Sequence, residues 1–305
     1  MISFRYHVVS IVAVFLALAL GVLLGTTVVN QGVIENLSQR TNDAVRRSEQ
    51  LRSQVSELQT ELRNWDRFGA EVEPMLISGQ LTAREVVIVT QEGVDAAEID
   101  GVRQALTDAG ASVVAVIVVT NRMALLDDDA RTDLQTIIGP LASGNDPIAM
   151  SETAARELAA RLTNGPAGGT TDLLGELIDA RFVVVRDGTG TIDQIGGATQ
   201  ALSILAGGNR EPVLAPESFL APLTVALAEN ARPVVAAETA ETAYPFVPIL
   251  RRDGSLDGGL VTVDNADTMP GRIAVVLGLR DLLQEPGRGG HFGVKGGASG
   301  LIPQP

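Results

Sequence analysis

From Val8 to Val29 the chain carries no charged residue (VVSIVAVFLALALGVLLGTTVV). At about 1.5 Å per helical residue this stretch reaches roughly 33 Å, enough to cross a hydrocarbon layer about 30 Å thick. Arg5 and the terminal amine precede it, and the first charge after it is Glu35. That asymmetry predicts a cytoplasmic N-terminus (1–7), an anchor (8–29) and the rest of the chain beyond the plasma membrane. The competing reading is a cleaved signal peptide. Its apolar core normally runs about 7–15 residues before a small-residue exit, and this run is longer and lacks that exit. Ser10, Gly21, Gly25, Thr26 and Thr27 include small-xxx-small spacing, which plain helix composition explains equally well. His7 falls at the lipid interface in this scheme.

Beyond the anchor, small or apolar residues recur at alternating steps of three and four, from Ile34 and Leu37 through Thr41 and Ala44 to Trp65. Ser48, Val55 and Leu62 take heptad position a; Leu51, Leu58 and Trp65 take d. Charged flanks such as Arg47, Glu49, Arg52, Glu57 and Glu61 keep the stripe narrow. This predicts a coiled-coil stalk over 30–68 that pairs two chains into a homodimer. A helix folded back on its own domain is the alternative. The stretch 69–85, with Pro74, reads as a linker.

The texture then changes to apolar, β-branched runs alternating with helical patterns: an α/β domain over 86–285 with a mostly parallel sheet flanked by helices. Strands are expected at Val86–Thr90, Ser112–Thr120, Phe182–Val185, Leu202–Ala206, Val234–Ala237 and Leu260–Val263. Helices are expected at Asp95–Ala109, Asp127–Ile138 (ended by Gly139-Pro140), Ser151–Leu162 with Ser151 as cap, Thr171–Ala180, near Glu217–Asn230 and near Pro270–Leu283. One continuous sheet is preferred over two lobes. The tail 286–305 holds seven glycines and three prolines and reads as disordered.

Composition excludes common chemistries. The absence of cysteine removes disulfides, thiolate metal sites and iron–sulfur ligands, and two histidines leave little for a triad. A net charge of −14 and 3% aromatic residues argue against nucleic acid as a partner. Gly188-Thr-Gly190 follows a strand but lacks the full dinucleotide fingerprint and reads as a polar turn. Asp127-Asp128-Asp129 reads as a helix start rather than a cation site. Gly297-Ala298-Ser299-Gly300 lacks nucleophile-elbow spacing. Met75, Met123, Met150 and Met269 are scattered, without the clustering of a thioether copper site. His291 is the one metal-ligand candidate. No catalytic or cofactor-binding residue is assigned, and the chain is expected not to be an enzyme.

The opening Met1-Ile-Ser-Phe-Arg5, His7 and the run from Ala13 to Gly25 resemble the amino-terminal signature of the copper transport outer membrane protein family (MctB) of mycobacteria and other actinobacteria. Met269-Pro270-Gly271-Arg272-Ile273, with Val275, Leu277, Leu279, Asp281 and Leu282, resembles the family's PGRI–VxLxLxDL stretch, and Gly290-His291-Phe292-Gly293 its Gly-His-aromatic-Gly tail. The resemblance implies copper homeostasis or efflux across the cell envelope, with outer-membrane association by the family label. Some relatives are implicated in cell-wall and division functions, which implies an envelope scaffold or adaptor with envelope-protein partners. Family tails can carry several histidines where this chain has His291 alone. A resident copper ion is therefore not expected, and one membrane helix with no repeated barrel-strand pattern encloses no pore by itself.

Overall fold

A computed structural model describes residues 4–139, 146–166, 172–208, 211–252, 254–256 and 258–304, with side chains of 26–36, 38 and 255 excluded. Pro140, Thr171 and the opening residues 1–3 lie outside the described residues, as do the side chains of Thr26, Thr27 and Ile34. The chain divides into two compact units, Met1–Arg67 and Phe68–Pro305.

The first unit is helical within α1 (Phe4–Ile77). Its segment Phe4–Gly25 is long and apolar enough to cross a membrane, with a mean hydropathy of 2.8. Farther along, Leu51, Val55, Leu58 and Leu62 stay exposed.

The second unit is a three-layer α/β sandwich. Its elements are β1 (Glu85–Gln91), α2 (Ala96–Asp108), β2 (Ser112–Val119), α3 (Asp128–Ile138), α4 (Pro147–Asn164), α5 (Leu173–Asp179), β3 (Val183–Arg186), β4 (Gln200–Leu205), α6 (Leu220–Glu229), β5 (Val234–Ala237), α7 (Val247–Leu250), β6 (Val261–Val263), α8 (Met269–Gln284) and β7 (Gly290–Phe292). One sheet in the order β3-β2-β1-β4-β5-β6-β7 contains them all, so the continuous sheet is the outcome. Every pair is parallel except β2–β3. Near-continuous Val/Ile strands make sense here because both sheet faces are covered. Val87, Val89, Ile117 and Ile204 face α3, α4 and α6. Their neighbours Val86, Ile88, Val116 and Leu205 face α2 and α8.

Three expectations are corrected. The linker at 69–85 is helical through Ile77, with Pro74 inside α1. Pro74 gives up its amide hydrogen bond and crowds the preceding turn, and burial of Ile77 plus a Glu73–Arg272 ion pair (2.7 Å) offsets that cost. Ser151 does not cap α4: Asp146 does, accepting from the Ile148 amide, and Ser151 is buried one turn inside. The tail is not disordered, since Gly290–Phe292 pairs in register with Val261–Val263 and the following residues fold back on the sheet. At Gly289 and Gly293 glycine supplies clearance rather than freedom. A Cβ on Gly289 would lie 2.4 Å from the Leu260 carbonyl oxygen, and one on Gly293 (φ +128°) 2.1 Å from Asp264 Oδ1.

Candidate functional site at the carboxyl edge of the sheet

Parallel strands deliver their C-terminal ends to one edge, where α/β proteins place ligands. Here the edge has two parts. The first, at β5–β7, contains His291. This residue was expected on a mobile chain but sits in β7, partly buried, with Nδ1 2.9 Å from Thr262 Oγ1.

Around it lies a charge network that sequence reasoning missed. Glu238 follows β5 and Asp264 follows β6, and both are wholly buried. Asp264 accepts from Arg251 Nη1 (2.6 Å) and from the amides of Val294 (2.6 Å) and Lys295 (3.1 Å). Glu238 accepts from the Phe246 (2.6 Å) and Val247 (2.9 Å) amides and from the ammonium of Lys295 (2.7 Å), the chain's single lysine. Arg251 also donates to Thr262 Oγ1, the Phe292 carbonyl and the Gly296 carbonyl. Two buried carboxylates are thus matched by two cations and four backbone amides, as buried charge requires. The network fastens the tail to the sheet. Ser299 belongs to the same fastening, its hydroxyl donating to the His291 carbonyl at 2.8 Å.

This arrangement is a poor soft-metal cage. A copper(I) site wants thiolate, thioether or several imidazoles. Among the described residues no group of three or more His, Cys, Asp or Glu is placed to hold an ion. Met123 and Met150 fill the core, and Met75 is exposed on α1. Asp127 accepts from the Ala130 amide at 2.7 Å and Asp128 pairs with Arg131, so the aspartate run starts α3. Gly188-Thr-Gly190 packs along β2. The Thr189 and Gly190 amides donate to the Val113 and Val114 carbonyls, and a Cβ on Gly188 would lie 2.0 Å from the Val114 oxygen. Close backbone approach, not phosphate, explains these glycines.

The second part of the edge lies between β1 and β4, where the strand order reverses. A cleft of about 730 Å³ opens there, lined by Glu92, Gly93, Asp95, Asn121, Glu211 and Val213 among others. Its described lining holds three carboxylates and no lysine or arginine. Beside Asp95, at the start of α2, the Glu98 carboxyl is pushed up to about 7, first by burial and then by the charges of Asp95 and Asp267.

The residues that mark the C-terminal stretch are structural. Thr268 caps α8, and Pro270 sits in its first turn. Gly271 is required because a Cβ there would lie 1.8 Å from the Asn265 carbonyl oxygen. Arg272 pairs with Glu73 through two nitrogens (2.8 and 2.7 Å). Ile273, Val275, Leu277, Leu279 and Leu282 are core, and Asp281 receives Arg280 at 2.8 Å.

The comparisons agree with this layout. Residues 1–303 match the family model described as copper transport outer membrane protein, MctB. The copper transporter MctB of Mycobacterium tuberculosis (strain ATCC 25618 / H37Rv) is 29% identical over 316 residues, covering 98% of each chain. Its counterpart in Mycobacterium leprae (strain TN) is 27% identical over 332 residues, covering both chains fully. The whole-length match, anchor-length helix and PGRI stretch included, places this chain in the MctB copper transport outer membrane protein family.

Proposed function

We propose that this chain is a membrane-anchored, extracytoplasmic, non-enzymatic participant in copper homeostasis or efflux, acting through protein contacts rather than through a resident copper site. The observation that supports it is the family match across residues 1–303, apolar N-terminal segment included, with relatives named copper transporters. The donor chemistry supports the second half of the reading. The chain has no cysteine, and the buried carboxylates Asp264 and Glu238 are already matched by Arg251 and Lys295.

In this reading Arg5 keeps the N-terminus cytoplasmic, residues 8–29 span the plasma membrane, and the stalk pairs two copies. The exposed Leu51, Val55, Leu58 and Leu62 support the seam. Two helices confined side by side in a membrane raise each other's effective concentration, so a seam with weak Thr41 and Ala44 layers suffices.

The test is a deletion strain complemented with the full chain, with His291→Ala, and with residues 30–305 exported without an anchor. Cell-associated copper and copper tolerance are measured in each. Deletion is expected to raise cell copper, and the full chain and His291→Ala to restore it equally, while the unanchored form fails. Unchanged copper after deletion defeats the copper reading. Failure of a stably expressed His291→Ala defeats the indirect one. The exposed seam equally suits an envelope scaffold or adaptor in cell-wall or division function. That reading predicts altered cell shape at normal copper.

A further inference from the structure

Beside the acidic cleft lies an apolar notch of about 130 Å³, lined by Leu126, Ile148, Ser151 and Val213 among others. Val213 lines both. Leu126 is 77% exposed, Ile148 58% and Val213 55%, so three large apolar side chains crowd one small opening. Leu125 ends a 3₁₀ turn (Asn121–Ala124) in a left-handed conformation (φ +55°, ψ +39°); its own side chain is buried and that of Leu126, the next residue, is exposed. A leucine pays strain for such a conformation.

Ser151 gives the second observation. It lines the notch, is 2% exposed, and its Oγ has no hydrogen-bond partner among the described residues. A buried hydroxyl left unpaired is costly, and an occupant that brings a carbonyl or amide relieves it. An alkyl chain alone does not.

We infer that this joined notch and cleft is a docking site for a partner polypeptide segment in which an apolar side chain is flanked by basic ones. The apolar side chain enters between Leu126, Ile148 and Val213, and its backbone meets Ser151. The basic neighbours lie over Glu92, Asp95 and Glu211, which the described cleft lining leaves without a cation. The site goes beyond the copper reading and does not depend on it, since its assay contains no copper.

The experiment uses the full chain in uncharged detergent micelles and a dye-labelled eight-residue peptide alternating leucine and arginine, read by fluorescence anisotropy against empty micelles. Controls replace leucine by serine or arginine by glutamate. Saturable binding of the leucine–arginine peptide is expected, at least tenfold tighter than either control. Leu126→Asp and Glu211→Arg, both at exposed positions, are each expected to weaken it at least tenfold. Leu126→Asp is decisive, because it adds a negative charge. General attraction to an acidic protein predicts tighter binding by that variant, and the notch predicts weaker binding. Unchanged or tighter binding by Leu126→Asp overturns the proposal, as does equal binding of the glutamate peptide or no saturation.

Discussion

Replacing Arg251 by methionine tests whether the glycine-rich tail is held by buried charge. Methionine keeps much of the aliphatic stem, so the loss is mainly polar. The Arg251 side chain is 5% exposed and that of Asp264 0%, and among the described residues their 2.6 Å contact is the carboxylate's one side-chain cation. Without it Asp264 keeps only the Val294 and Lys295 amides, and the Phe292 carbonyl loses its guanidinium donor. Breaking one side of a buried pair costs about 3–5 kcal/mol. At about 1.4 kcal/mol per tenfold, tail opening becomes roughly a hundred to several thousand times more frequent. Hydrogen–deuterium exchange of the full chain in micelles reads this at Gly290, Gly293 and Ser299, whose amides donate to Leu260, Gly300 and His291 carbonyls. Adding Asp264→Asn to Arg251→Met should recover part of the protection, because a neutral amide tolerates the site better. Acceleration under threefold, or a double variant worse than the single one, refutes the reasoning.

Gly271→Ala should destabilise the α/β unit by about 1–3 kcal/mol despite better helix propensity, because the new methyl meets the Asn265 oxygen; a raised melting temperature sinks this. Glu98→Gln should stabilise the protein at pH 8 and make little difference near pH 4. The native carboxyl binds its proton up to about pH 7 whereas the unfolded one releases it near 4.5, so stability from this group is present below 4.5 and falls as pH rises through 7. Partial exposure limits the effect to about 1 kcal/mol, and a wild-type-minus-variant difference flat between pH 4 and 8 contradicts it. Leu58→Asp with Leu62→Asp should convert a dimer of the full chain to monomer in sedimentation equilibrium; a dimer that survives both excludes the stalk seam.

The sheet was legible because parallel strands, buried on both faces, are written as unbroken apolar runs. Val86–Thr90, Ser112–Thr120 and Val234–Ala237 fall within a residue of β1, β2 and β5. β7 was not legible. Its three residues, Gly-His-Phe, have no periodicity, and their pairing depends on Val261–Val263, 29 positions earlier. Glycine was read as flexibility where its missing Cβ serves close approach. The charge network escaped because Glu238 and Lys295 are 57 residues apart. One signal existed: Glu238 and Asp264 each stand immediately after an apolar strand, where a carboxylate must find partners or the strand end stays wet. The cation usage, 22 arginines to one lysine, was also informative. Arg161, Arg232 and Arg251 each gather several carbonyl or carboxylate oxygens from distant loops, work for which a planar fork is better suited than an ammonium.

β7 is the last strand to join the sheet, and the two buried acids beside it depend on its arrival. A parallel neighbour cannot arrive by hairpin; it needs a crossover, here through the whole of α8. Residues 290–300 therefore join after every other strand of the sheet has left the ribosome or the export channel. Until they do, Glu238 and Asp264 lack Lys295, the Val294 amide and the strand that shields them. A chain interrupted between Asp264 and Gly290 is left with two ill-matched acids and a bare edge on β6. Such a product is open to proteases and to mispairing.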